Sequence, residues 1–353
     1  MGIRRRIGTS AKSSPKIFGT EFLIQNHSDI IGTIIVLIAL GLIFEPTSRF
    51  SAKFVTIQHN ITSPTITFET GLPMEYTYGF NDIFCILFYS LVCIVAHGVI
   101  QLYLLDRSAR KLHMSKIKHS KFNESGQLLT FYIISVLWAI ELIRRDRFTK
   151  KSFIEVLGGN GASVDSHMTH GVKLYFILQI VYWLHCFPEF YLQRVRKEEL
   201  TQRINYVSLY LTCFLGAYLF DITRLSLVLS LLHYIGEAAF HSAQLLYFRQ
   251  SEHYQLVFRA WNALFVGARL ISITLSILVL VLGLGSGSIS PTPTINSSQS
   301  NIFRYLKLVG ILLVQIYLMW RYLVFHLGRI RPLESETSEK KSKPRKQVTI
   351  NTD

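Results

Sequence analysis

An all-α fold, a polytopic membrane helix bundle of about eight transmembrane helices, is what this sequence predicts, and three observations predict it. First, the apolar residues come in blocks: of 353 residues, 50% are hydrophobic and only 17% charged, and the blocks replace the even spacing of a soluble core. Second, the block Leu225–Phe248 is long enough, at ~1.5 Å per residue, to cross ~30 Å of hydrocarbon. Yet Ser226, His233, Glu237, His241 and Gln244 share one narrow stripe of it. Ionisable groups at that depth cost ~2.5–3.5 kcal/mol each on insertion scales, so the stripe is expected to face protein. Third, Lys and Arg gather in the connections on one side of the blocks, the asymmetry that sets orientation.

In chain order, Met1–Asp29 is polar and basic. It is not read as a signal peptide, because the apolar run starts late and Phe44-Glu45-Pro46 offers no small-residue cleavage site. Arg6 stands where a myristoylation pattern needs Ser or Thr. Apolar blocks follow at Ile30–Phe44, Phe80–Leu104, Leu128–Ile143, Val172–Tyr191, Ile204–Phe220, Leu225–Phe248, Ala260–Leu284 and Ile302–Leu327. The first, third and fifth are short for a full span; either they extend into polar flanks or the bilayer thins around them. Glu45-Pro46 reads as a helix stop. The Gly-rich runs Gly158–Gly161 and Gly283–Gly287 lack the Lys and strand–helix context of phosphate loops and read as turns.

A net charge of +15 raises the possibility of nucleic acid. Placement beside apolar blocks points instead to membrane orientation, and no specific nucleic acid is expected. With both termini cytosolic, the cytosolic side holds Arg107 to Lys121, Arg194 to Arg203 and Arg249. The opposite side holds Arg49, Lys53 and Arg224. Arg144–Lys151 objects, landing on the lumenal side after the weak third helix. Cys85, Cys93, Cys186 and Cys213 all lie in apolar runs without metal-ligand spacing, so they read as small buried hydrophobes. The sequons at Asn60 and Asn296 fall in lumenal loops and are the expected glycosylation sites; those at Asn26 and Asn123 fall on the cytosolic side. The tail from Gly328 to Asp353 mixes Glu and Lys without an apolar period and reads as disordered, with its basic run near anionic headgroups or ribosomal RNA.

Two constellations invite chemistry. His233-x3-Glu237-x3-His241 puts polar groups one turn apart, but it is not HExxH and has no matching second helix, so a structural polar network is preferred to a metal site. Arg269 lies about 14 Å from the expected cytosolic end of its helix and Glu237 about 16 Å. That depth match predicts a Glu237–Arg269 ion pair, with His233 and His241 as hydrogen-bond partners and Gln244 on the same stripe. The second cluster is His185, Pro188 and Glu189, joined by His97 and Gln101. Pro188 should kink its helix and free backbone carbonyls, giving either a packed bend or a polar groove open to the cytosolic leaflet.

Four strings then carry a resemblance: Lys118-His119-Ser120-Lys121-Phe122-Asn123-Glu124-Ser125-Gly126-Gln127-Leu128, Gln25-Asn26-His27-Ser28-Asp29-Ile30, Tyr182-Trp183-Leu184-His185-Cys186-Phe187-Pro188-Glu189, and Leu232-His233-Tyr234 through His241. In these the chain resembles the translocating chain-associated membrane protein family of the endoplasmic reticulum, up to its divergent tail. The run Arg144–Lys151 is not a feature of that family. The resemblance implies a TLC-domain-like core shared with ceramide synthases. It also implies this division: residues 1–29, a cytosolic segment; 30–116, a transmembrane hairpin with a glycosylated lumenal loop; 117–327, a TLC-like multi-helix domain; and 328–353, a basic tail. In the same comparison the synthase His-His pair falls at Asn205-Tyr206 and the His-Asp-x-x-Asp segment at His233-Tyr234-x-x-Glu237. Without the paired histidines a base near its working pKa is missing, so no catalytic residue, cofactor or metal is expected. The cavity for a lipid chain is left as an open possibility.

The function implied is a non-enzymatic accessory of the Sec translocon in the endoplasmic reticulum membrane. Its expected partners are ribosome–nascent chain complexes, through their signal sequences and transmembrane segments, and membrane phospholipids. A lipid N-acyltransferase or lipid-binding protein is the alternative. A proton-coupled transporter is a third class, disfavoured because no internal repeat or pair of broken helices appears.

Overall fold

The computed structural model describes residues 20–62, 74–112, 114–149, 168–193, 195–220, 222–281 and 297–342. Its elements are α1 (Thr20–Leu40), α2 (Glu45–Val55), β1 (Glu75–Tyr76), α3 (Asp82–Val99), a π-helical turn (Ile100–Leu105), α4 (Asp106–Arg110), α5 (Lys116–Thr149), β2 (Met168–Thr169), α6 (His170–Leu192), α7 (Lys197–Leu219), α8 (Thr223–Phe248), α9 (Tyr254–Leu280) and α10 (Ser297–Ser342). The protein is an all-α membrane protein. Four of the expected apolar blocks fall within single helices and Ile204–Phe220 passes the end of α7 by one residue, whereas Ile30–Phe44 runs past the end of α1, Phe80–Leu104 covers α3 and most of the π-helical turn, and Ala260–Leu284 runs past the end of α9.

Among the described residues, four stretches are long and apolar enough to cross a membrane: Asp82–Arg110, Ile117–Arg145, Tyr254–Leu280 and Ile302–Arg329. Asn26–Leu40 is a shorter apolar stretch. This differs from the eight spans expected, and the reason is visible in α6, α7 and α8. They have spanning length, at 23, 23 and 26 residues, but polar side chains lower their mean hydropathy: buried ones such as Lys173, Gln179, His233 and His241 in α6 and α8, exposed ones such as Gln202 and Asn205 in α7. In α6 and α8 those polar residues are buried among protein, not exposed to water.

The short blocks extend into their flanks. α1 begins at Thr20, α5 at Lys116 and α7 at Lys197. Near the end of α5, Arg144 and Arg145 each bond the Glu141 carboxylate, at 2.8 and 2.7 Å, on an exposed face. Two further expectations are corrected. Pro46 ends nothing on its own: it sits in the first turn of α2, where its missing N–H is not needed. The tail, expected to be disordered from Gly328 onward, is helical as far as Ser342, over a segment rich in helix formers. Asn296, both Gly-rich runs and most of Arg144–Lys151 lie outside the residues described or their side chains.

The chain divides into two compact units, Met1–Arg145 with Ser163–Phe258, and Asp146–Ala162 with Arg259–Asp353. In the first, α6 packs against α3 and α7, while α1 and α2 pack on α3. The core is aromatic, built from Tyr132, Tyr175, Phe176, Trp183, Tyr210 and Tyr234 with their aliphatic neighbours. β1 pairs antiparallel with β2, Glu75 opposite Thr169, and so ties the loop before α3 to the start of α6. In the second unit the rings of Phe265 on α9 and Tyr322 on α10 stack at 4.6 Å.

Candidate functional site

The polar residues of the first unit form three groups along α6. α3 and α6 run parallel, because their first turns meet at Asp82 and Lys173 and their last at His97 and Glu189. The two contacts lie ~23 Å apart along each helix at ~1.5 Å per residue.

At the β1/β2 end, Lys173 is fully buried and Asp82 is 2% exposed. Lys173 Nζ reaches Asp82 Oδ1 at 2.8 Å and also donates to the carbonyls of Gln58 (2.8 Å) and Thr77 (2.7 Å). Asp82 Oδ2 accepts from Gly79 N at 2.9 Å and from the Tyr218 hydroxyl at 2.8 Å. A charge pair so far from water depends on contacts to its polar atoms: Nζ has two carbonyls besides the carboxylate, Oδ2 has two donors, and Oδ1 has the ammonium contact without a further hydrogen bond. One lysine thus holds the loop, α3, α6 and α7 together. The sequence reading missed it, although a Lys and an Asp at the edges of two apolar blocks were a visible signal.

The same loop presents Asn60 in the open. Its side-chain oxygen accepts from Thr62 N at 3.0 Å, and the backbone of Asn60 bridges to Tyr76. This is an ordered, exposed acceptor tripeptide.

The middle group is the expected seam on α8, now with partners. The Tyr210 hydroxyl on α7 bonds His233 Nε2, and Glu237 Oε1 lies 3.8 Å from that nitrogen. Glu237 points inward, its side chain 15% exposed. His241 is buried against the ring of Tyr132, centroids 5.7 Å apart, and its Nδ1 has no hydrogen-bond partner. Ser226 and Gln244 are half-buried on the same helix. Tyr234 donates to Gln179 Oε1 at 2.8 Å, and Gln179 donates to Ser135 at 3.0 Å. Trp183 lies flat on Tyr210 at 4.3 Å.

The residues aligned by resemblance with the synthase dyad separate. Asn205 is exposed, whereas Tyr206 turns in and bonds the Tyr132 hydroxyl at 2.8 Å. Adjacent helical positions point about 100° apart, and here that step carries Asn205 out of the core that Tyr206 faces.

Arg269 belongs to the second unit, where it is buried, donates to Gln315 at 2.8 Å and sits over the Phe265 ring. Glu237 belongs to the first.

At the far end of α6 the second expected cluster assembles. His97 Nε2 lies 3.5 Å from Glu189 Oε1, the rings of His97 and His185 are 5.8 Å apart, and the Gln193 amide donates to Glu189 at 3.0 Å. His185 Nδ1 donates to the Tyr182 carbonyl. α6 continues through Pro188 to Leu192. The adjoining π-helical turn carries Gln101, which bonds Asp106 at 2.7 Å and receives Gln127 at 3.4 Å. Gly126 makes room for this approach, since a Cβ there would stand 2.3 Å from the Leu105 side chain. His185 Nε2 and Glu189 Oε2 are buried without a hydrogen-bond partner.

Among the described residues, no group of three or more His, Cys, Asp and Glu side chains is arranged to hold a metal. All four cysteines are free thiols. Cys85 donates to the Thr56 carbonyl at 2.9 Å. Chemically, the arrangement is a set of satisfied or buried polar contacts inside an aromatic core.

Comparison with known proteins adds the following. A family model described as TLC domain matches residues 121–324. The chain is 38% identical over 345 residues to translocating chain-associated membrane protein 2 of Homo sapiens, covering 98% of this chain and 90% of that protein. It is 38% identical over 342 residues to the Mus musculus protein of the same name, covering 97% and 89%.

Proposed function

The chain belongs to the translocating chain-associated membrane protein family, and from that premise we propose a non-enzymatic accessory of the Sec translocon in the endoplasmic reticulum membrane. It contacts ribosome-bound nascent chains there and eases signal sequences and transmembrane segments into lipid. The observation that carries the non-enzymatic part is Tyr206. A phenol tied to Tyr132 inside packed rings, beside an outward-facing Asn205, leaves no imidazole dyad to deprotonate an amine or activate a thioester.

Two features support the membrane role. The apolar stretch of α1, Asn26–Leu40, is short for a bilayer, so lipid beside it thins or the flanking side chains snorkel. On α10, Ile302, Leu306, Val309, Leu313, Ile316 and Trp320 form an exposed apolar row alternating every three or four residues, a face on which an apolar segment can lie. Together these features lower the barrier for segments that are only marginally apolar.

Depleting the protein from microsomes is expected to reduce translocation of weakly hydrophobic signals more than of strong ones, with photocrosslinks from stalled nascent chains to this protein. Equal loss for both classes, or acyl-CoA-dependent amide formation by the purified protein that is abolished at His233, would replace the reading with the lipid-enzyme alternative.

Orientation has its own test. With the β1/β2 end in the lumen, Asn60 carries a glycan. Thr62→Ala is expected to abolish the endoglycosidase-sensitive mobility shift contributed by that site, while Asn26→Gln leaves the pattern unchanged. A shift lost with Asn26→Gln would invert the topology.

A further inference from the structure

The turn that closes α8 and the residues that open α5 enclose a half-open groove of about 200 Å³, whose lining includes Leu112, Ser115, Lys118, Phe248, Arg249 and Gln250. It is smaller than the ~300–1,000 Å³ of pockets that enclose a whole small molecule, which suits a headgroup. Lys118 and Arg249 are both exposed and neither is in an ion pair. The nearby carboxylates along the chain do not neutralise them: Asp106 is engaged by Gln101 and Asn123, Glu124 pairs with Arg203, and neither Glu124 nor Glu252 lines the groove. Arg249 follows the last turn of α8, where the helix dipole favours a cation. Ser115 accepts the first backbone bond of α5, from His119 N at 2.9 Å, so the positive end of that helix opens beside the groove.

The level of the groove relative to a bilayer follows from its neighbours. The apolar stretch Ile117–Arg145 begins at it. Tyr247 and Tyr254, rings 5.4 Å apart with Tyr247 56% exposed, stand beside it, as tyrosines do at membrane interfaces. A groove at headgroup depth, floored in part by Phe248 and Leu112 and carrying two uncompensated cations, has the chemistry for one kind of occupant.

We infer that this groove binds the phosphate of an anionic glycerophospholipid, Lys118 and Arg249 contacting the phosphodiester and Phe248 its glycerol and upper acyl carbons. The inference goes beyond nascent-chain handling and stands or falls separately from it.

The test uses the full-length protein in zwitterionic detergent, titrated with phosphatidylserine or phosphatidylcholine and followed by native mass spectrometry. Wild-type protein is expected to retain phosphatidylserine preferentially. Each cation near an anionic surface contributes roughly fivefold, so Lys118→Gln with Arg249→Gln should weaken retention roughly twenty-five-fold, and either single change roughly fivefold. Arg196→Gln with Lys197→Gln, the same charge change on another exposed connection, should leave retention unchanged. Equal loss in that control would reduce the effect to diffuse charge, and no loss in the groove variants would remove the site. Displacement by inorganic phosphate or by polyuridylate, with no preference for lipid, would assign the cations to a soluble or nucleic-acid phosphate and overturn the lipid assignment.

Discussion

Lys173→Met is expected to lower the stability of the protein by about 3–5 kcal/mol, the cost of stranding one partner of a buried ion pair. Asp82 would be left 2% exposed with its charge uncompensated, and the carbonyls of Gln58 and Thr77 would lose their donor. Since Lys173 joins the loop before α3 to α6, the loss should appear first there, as protease sensitivity between Thr56 and Asp82, and then as a lowered melting temperature in detergent. The double variant Asp82→Leu with Lys173→Met removes both charges and should be less destabilised than Lys173→Met alone, though not restored, because Gly79 N and the Tyr218 hydroxyl lose their acceptor at about 1 kcal/mol each. A single variant that melts within ~1 kcal/mol of wild type would mean the pair is hydrated, contrary to the geometry.

Trp183→Ala should cost a similar amount, about 3–5 kcal/mol, through the cavity left by a large core side chain. Trp183 is fully buried. It stacks on Tyr210 at 4.3 Å, meets Tyr182 and Phe131 edge-on at 5.2 and 5.6 Å, and points its N–H at the Tyr234 hydroxyl, 3.4 Å away. Trp183→Phe keeps most of the volume and loses the donor, so about 1 kcal/mol is expected. Tyr210 holds His233, so the Ala variant should also loosen the His233–Glu237 contact. If the polar network shapes a surface used by nascent chains, translocation of weakly hydrophobic signals should fall in the Ala variant and hold in the Phe variant at a temperature where both remain folded. Thermal melts of the three proteins side by side check the first claim, and import assays on the same preparations check the second.

Much of the candidate site was legible as residue types and little of it as pairs. Glu237 and His233 stand one turn apart on one helix, so their contact follows from helical spacing alone. His97 with Glu189 was reachable from matching depth on two helices. Depth matching also proposed Arg269 as the partner of Glu237; beside that proposal the structure adds Gln315 on α10, a neutral acceptor for Arg269 that no charge-based argument considers. Tyr210 gave no signal: a tyrosine in an apolar run is amphipathic, and its hydroxyl partner is set by which face of α7 meets α8. Tyr206 and Asn205 differ by one position in the sequence and by inside versus outside in the fold.

By itself the sequence determined that the protein is helical, where its apolar blocks lie and which groups on α8 share a stripe, because these depend on hydropathy and on the 3.6-residue period along one segment. The tertiary structure alone decided that α3 and α6 run parallel with Asp82 against Lys173, that Tyr206 faces Tyr132, and that α6 is wrapped by its neighbours. Those outcomes depend on which helix packs beside which, and for a buried polar group a fitting partner across that contact is what makes its burial tolerable.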